Sequence, residues 1–113
     1  MRLKSALWVA AYLRRCQVEG CSAVVRRRGA EEAGAIFVRV CRLDGTSELF
    51  GPAPQSALEP DATDRIFAAC LDSLPAPDPD IENYLSRETK FDPDLWIVEL
   101  EDRAGRNFLN IVP

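Results

Sequence analysis

The stretch Ala35-Ile36-Phe37-Val38-Arg39-Val40-Cys41-Arg42-Leu43-Asp44-Gly45-Thr46-Ser47-Glu48-Leu49-Phe50-Gly51 decides the fold. In its first half Ile36, Val38 and Val40 fall on one side of an extended chain, and Phe37, Arg39 and Cys41 fall on the other. Asp44-Gly45 then reads as a two-residue hairpin turn, with Gly supplying the positive φ. Ser47–Gly51 returns as the second arm. Pro52 and Pro54 end it, because neither can donate to a strand ladder. Upstream, Ala23–Arg28 is a further Val-rich run, set off by a Gly29–Gly34 loop. The three runs together predict an antiparallel meander.

Working outward, residues 3–18 predict a helix. Leu3, Ala6, Leu7, Ala10 and Leu13 recur at steps of three and four, and Gly20 follows Arg14 and Arg15 as a stop signal. Trp8 and Tyr12 form an i,i+4 pair beside that stripe, which either widens the buried face or anchors a partner. Downstream, Gln55–Asp64 reads as a loop and Arg65–Leu71 as a short strand. Pro75, Pro77 and Pro79 stiffen a connector. Asp78 suits an N-cap and Pro79 a first helical position, so a second helix runs to Lys90 or Phe91, before Pro93. Leu95–Glu101 is a strand, and Asn107–Val112 is expected to return as a last one. The order α-β-β-β-β-α-β-β predicts one α+β domain over residues 1–113. Its antiparallel sheet has five to six strands, with two helices packed on one face.

Composition narrows the function classes. Of 113 residues 47% are hydrophobic and 28% charged, which fits a folded domain. The absence of His removes His-based triads and imidazole metal sites. No run approaches the length a membrane span needs. Arg14 and Arg15 cut short the apolar run Ala6–Leu13, so no signal peptide is read there, and a cytoplasmic protein is expected. Cys16, Cys21, Cys41 and Cys70 are then free thiols, and their spacing does not suit zinc. Charge is polarised. Residues 1–42 hold nine basic and three acidic side chains; residues 43–113 hold five basic and fifteen acidic ones. This pattern fits faces that attract each other, within the fold or between subunits, or a basic half that meets an anionic partner.

Several stretches resemble a known family. They are Met1-Arg2-Leu3-Lys4-Ser5, Trp8 to Arg15, Gly34-Ala35-Ile36-Phe37-Val38, Leu43-Asp44-Gly45-Thr46, Gly51-Pro52-Ala53-Pro54-Gln55 and Phe91-Asp92-Pro93-Asp94-Leu95-Trp96-Ile97-Val98-Glu99. Together they resemble the small alphaproteobacterial proteins grouped as domain of unknown function 1491. The likeness spans residues 1–55 and about 80–108. It implies a bacterial, cytoplasmic, single-domain protein and carries no activity, cofactor or catalytic residue with it.

Three functional readings follow from the residues. Without catalytic motifs, and with no cofactor or metal expected, the first is a non-enzymatic protein-interaction module. It would bind a protein partner or a second copy through Trp8, Tyr12, Phe37 and the arginines, or by adding a strand to the sheet. The second is nucleic-acid contact. Arg26 and Arg28 share one side of a strand, Arg39 and Arg42 lie on the next, and Phe37 offers stacking. An isoelectric point of about 4.8 weighs against it. The third is a small enzyme or a metal site built from Asp92, Asp94, Glu99 and Glu101, although such alternation also marks a solvent-facing strand.

Overall fold

Ile36–Cys41 and Trp96–Glu101 each carry three apolar side chains on one parity, Ile36, Val38 and Val40 on the first and Trp96, Val98 and Leu100 on the second, with Phe37 and Ile97 on the other parity. The computed structural model, which describes residues 3–54 and 65–112, sets the two runs side by side at the centre of the sheet. In chain order the elements are α1 (Ser5–Val18), β1 (Ser22–Arg27), β2 (Ile36–Cys41), β3 (Thr46–Pro52), β4 (Phe67–Ala69), β5 (Ala76–Pro77), α2 (Asp78–Phe91) and β6 (Trp96–Glu101). The sheet runs β1-β6-β2-β3-β4, with β5 also paired to β3. The α+β class and the six strands agree with the sequence reading, as do the β2–β3 hairpin and the short strand within Arg65–Leu71. The expected Gln55–Asp64 loop lies outside the described residues.

The meander is corrected. β1 does not pair with β2; β6 lies between them, antiparallel to β1 and parallel to β2. The physical reason is burial. β2 and β6 are buried at nearly every position while β1 is mostly exposed, so β1 belongs at the rim. The Gly29–Gly34 loop makes room for this insertion. A Cβ at Gly29 or Gly34 would collide with the carbonyl of Asp94, at the entry to β6. Ala30 N–H donates to that same carbonyl at 2.8 Å.

The hairpin turn is also longer than expected. Arg42 N–H donates to Thr46 O, so the loop is Leu43–Gly45, with positive φ at Leu43 and Gly45. Asp44 steadies it by accepting from Thr46 N–H at 3.0 Å and from the Thr46 hydroxyl at 2.6 Å. Asn107–Val112 is an extended tail with one parallel bridge, Phe67 to Ile111, instead of a full strand. The Pro-rich connector contributes β5, which the sequence reading did not include.

The helices take opposite faces instead of sharing one. Val9, Tyr12 and Cys16 of α1 pack on Ile36, Val38, Val40, Trp96, Val98 and Leu100. Ile81 and Leu85 of α2 pack on Phe37, Leu49 and Ile97. Segments without regular structure complete the cover: Phe108 and Leu109 beside α1, Cys70 and Leu71 beside α2. The buried stripe of α1 is Ser5, Val9, Tyr12 and Cys16, which displaces the expected Leu3–Leu7–Leu13 stripe. Leu3 and Leu7 are 52% and 57% exposed. Trp8 and Tyr12 decide this rotation, because two stacked aromatics bury more apolar area than Leu7 and Ala10 would. The Ser5 hydroxyl fixes the helix start by donating to Gly34 O at 2.6 Å.

Candidate functional site

The α2 face of the sheet carries an ion cluster. Arg39 on β2 sits directly beside Glu99 on β6 in parallel register. Helix α2 presents Asp78 and Glu82, one turn apart, to the same guanidinium. The distances are 3.0 Å to Asp78, 2.6 Å to Glu82 and 3.1 Å to Glu99. Arg39 Nε donates to Ser47 Oγ, and Ser47 Oγ donates to Asp78 at 2.6 Å. Arg26 on β1 forks onto Glu82 and also reaches Glu99 at 2.9 Å. The cluster ties β1, β6, β2, β3 and α2 to one another.

Its electrostatics leave little room for acid–base chemistry. Burial works against the charge on Arg39, but the Asp78 hydrogen bond and the charges of Glu99 and Glu82 more than offset it. The Arg39 pKa therefore rises. The hydrogen bond from Arg26 holds the Glu82 carboxyl below its ordinary value, against a smaller effect of burial. These groups are locked in their charged forms, whereas a general acid or base must sit near the working pH. Burial raises the thiol pKa values of Cys16 and Cys41, and pushes that of Cys70 up to about 11. They stay protonated and unreactive near neutrality.

The residues singled out in the sequence are dispersed. Tyr12 is buried and its hydroxyl donates to Asn107 O at 2.7 Å. Trp8 stacks on Tyr12, with centroids 5.0 Å apart, and tilts against Phe67. The pair thus widens the core, and the anchor reading is set aside. Phe37 is buried under α2 and offers no stacking platform. The four arginines expected on one surface occupy three places. Arg26 and Arg39 are in the cluster, Arg28 covers the Trp96 ring at 5.0 Å, and Arg42 pairs with Glu48 at 3.2 Å. A β-bulge between Val25 and Arg27 explains part of this: it brings Arg26 and Arg27 both to the α2 side, against strict alternation. The acidic set does not converge either. Asp92 accepts from Asp94 N–H in a turn before β6, Glu99 is in the cluster, and Glu101 is exposed at the far end of β6. Among the described residues no group of three or more His, Cys, Asp or Glu could hold a metal. Ser47, Asp78 and Glu82 were not foreseen as site residues. The signal available was Arg39 itself, a charge set in the middle of an apolar run.

The two rims of the sheet differ. At β4, Phe67 N–H donates to Asn110 O at 2.8 Å and Val112 N–H donates to Phe67 O at 2.9 Å, so the tail covers that edge. At β1, no strand among the described residues pairs on the outer side. Val24 and Val25 there are 54% and 36% exposed. A groove flanks β1 on each face. On the α2 side it has about 680 Å³ and is lined by Arg26, Arg27, Asn83, Ser86, Thr89 and Lys90, among others. On the α1 side it has about 580 Å³, lined by Ala10, Ala11, Leu13, Arg14, Gln17 and Ala23.

The sequence profile of the family described as "Protein of unknown function (DUF1491)" matches residues 3–110. The chain belongs to the DUF1491 family. A crystal structure of a DUF1491 family protein from Caulobacter crescentus is 38% identical, at a TM-score of 0.80, with both chains covered in full. The solution structure of protein Atu0922 from A. tumefaciens is 41% identical, also at 0.80, covering 100% of this chain and 98% of that one. No curated protein matches. These DUF1491 relatives are alphaproteobacterial, as the resemblance implied. Among the described residues no helix is long and apolar enough to cross a membrane.

Proposed function

We propose that the chain is a single-domain, non-enzymatic, cytoplasmic protein-interaction module that accepts a partner strand along β1. One observation carries this reading: among the described residues the sheet has one covered rim and one open rim, and the open one holds Val24 and Val25 in contact with water. An edge strand offers a row of unpaired N–H and C=O groups, which folded proteins usually blunt or cover. Strand addition uses that row for affinity and side-chain grooves for selectivity. Among the described residues β1 has both requirements, an unpaired outer side and a groove on each face.

Site-specific photo-cross-linking in the native cell tests this. A photoreactive residue at Val24 is expected to give one discrete protein adduct, while the same residue at Arg103, an exposed turn position, gives none. Equal adducts at both positions, or none at Val24, would overturn the proposal.

A further inference from the structure

The two grooves beside β1 differ in charge: Arg26, Arg27, Lys90 and Glu82 line the one on the α2 side, and Arg14 is the one charged residue lining the other. A strand alternates its side chains between faces every residue. A segment laid along β1 therefore sends every second side chain toward α2 and the others toward α1. On the α2 side it meets Arg27 and Lys90, neither of which makes an ion pair among the described residues, while the carboxylate lining that groove, Glu82, is already paired with Arg26 and Arg39. Arg27 spends one guanidinium nitrogen on Pro93 O and Leu95 O, at 2.9 Å each, which fixes it at the groove floor. On the α1 side the segment meets Ala10, Ala11, Leu13 and Ala23, which leave space for aliphatic side chains, with Arg14 and Gln17 also lining that groove.

We propose that the β1 edge receives an extended peptide whose side chains alternate acidic with small aliphatic, the acidic ones toward Arg27 and Lys90 and the aliphatic ones toward Ala10, Ala11 and Ala23. The inference rests on the strand-addition reading and names the partner's chemistry. A second copy of this chain is a poorer occupant because of charge. Its own β1 ends in Arg26, Arg27 and Arg28. In an antiparallel self-pair each copy's Arg27 and Arg28 would face the Ser22 end of the other. The only carboxylate on the β1–β6 pair outside the ion cluster is Glu101, so a second copy adds cations to the rim without carboxylates to receive them. An acidic strand neutralises the rim instead.

The test is a titration of the isotope-labelled full chain, followed by backbone amide shifts. Two capped nonapeptides serve as probes, one alternating Glu with Val and one alternating Lys with Val. The Glu–Val peptide is expected to shift the amides of Ser22–Val25. It should bind roughly tenfold more tightly than the Lys–Val peptide, with the difference shrinking in high salt. Lys90→Glu should weaken the Glu–Val peptide by about threefold, the scale of one exposed charge pair. Its amide spectrum shows whether the fold is intact. Equal binding of both peptides along β1 overturns the alternating-acid inference and leaves strand addition standing. So does a β1 shift produced by raising the concentration of the chain alone, which would point to a second copy. No β1 shift with either peptide overturns the inference. If the Val24 cross-link is missing as well, the strand-addition reading falls with it.

Discussion

The sheet face under α1 and the face under α2 are cut from the same strands, yet the cluster packed against α1 is dry and the one against α2 holds an ion network of five side chains. Under α1, Ile36, Val38, Val40, Trp96, Val98 and Leu100 meet Val9, Tyr12 and Cys16, and Glu48, opposite Val40, pairs with Arg42 outside this cluster. Under α2, the alternate positions Phe37 and Ile97 are apolar, but Arg39 and Glu99 share that face with them. Helix α2 answers with Asp78 and Glu82, and β1 adds Arg26. The dry face holds α1 mainly by apolar area, with the Ser5 and Tyr12 hydroxyls as its side-chain hydrogen bonds to Gly34 O and Asn107 O. The charged face holds α2 by matched partners, which sets its position along the sheet. Buried ion pairs contribute less to stability than apolar packing of equal volume, but they penalise misplacement heavily.

The largest expected effect lies on the dry face. Trp96 is 1% exposed, and its indole N–H donates to Ala30 O at 2.8 Å. Trp96→Ala should cost about 3–5 kcal/mol in urea unfolding. A loss below about 2 kcal/mol would mean that this face is not the main source of stability.

Arg39→Met comes next. It leaves Asp78 and Glu99 without their shared cation, and breaking a fully buried pair costs about 3–5 kcal/mol. Asp78 and Glu82 reach water, so the expected loss is smaller, about 2–3 kcal/mol. The double variant Arg39→Met, Glu99→Leu should be more stable than Arg39→Met alone, since Glu99 then keeps only Arg26 of its two cations and a leucine beside the methionine restores apolar cover. A double variant less stable than the single one would show that Glu99 holds β1 through Arg26 more than it serves Arg39.

Much of this contrast was legible in the sequence, and the missing part is non-local. The end of α2 before Pro93 follows from local chemistry, and so does the hairpin at Asp44 and Gly45, whereas the start of α2 is one residue earlier than expected: Pro77 takes the cap position, and the Asp78 carboxylate turns to Arg39 and Ser47 instead of capping the helix. The alternation in Ile36–Cys41 and Trp96–Glu101 marks one apolar face, which fits the expectation of two helices on one face; only Phe37 and Ile97 hint at cover on the other. What no local rule encodes is that β6 enters between β1 and β2, because that pairing joins segments far apart in the chain. The same distance hid the cluster. Arg39 finds Glu82 and Glu99 at separations of 43 and 60 residues. Glu99 looked like a solvent-facing carboxylate because alternation reports which side a residue takes, not whether a helix later covers that side. The candidate site was less legible still. β1 reads as an ordinary strand, and only its place at the rim leaves Val24 in water.

The smallest effect separates the faces by pH. Glu82 is partly exposed, and Arg26 and Arg39 hold its carboxyl below the ordinary value of 4.5. A group whose pKa is depressed on folding contributes stability above its unfolded pKa and loses it as pH falls through the folded one. Glu82→Gln should therefore cost about 0.5–1 kcal/mol at neutral pH, the scale of exposed ion pairs. The gap between the two proteins should close as pH drops below 4.5, because protonation removes the same charge that the substitution does. Asp44 and Asp102 are also depressed, by their bonds to Thr46 and Arg106, but wild type and variant share them, so they cancel in the difference. The Trp96→Ala gap has no titrating partner and should stay constant over the same range. Urea unfolding of the three proteins between about pH 3 and 7 checks this. A Trp96→Ala gap that closed in step with the Glu82→Gln gap would mean that acid weakens both faces together, and that the division between a dry face and a charged one does not hold energetically.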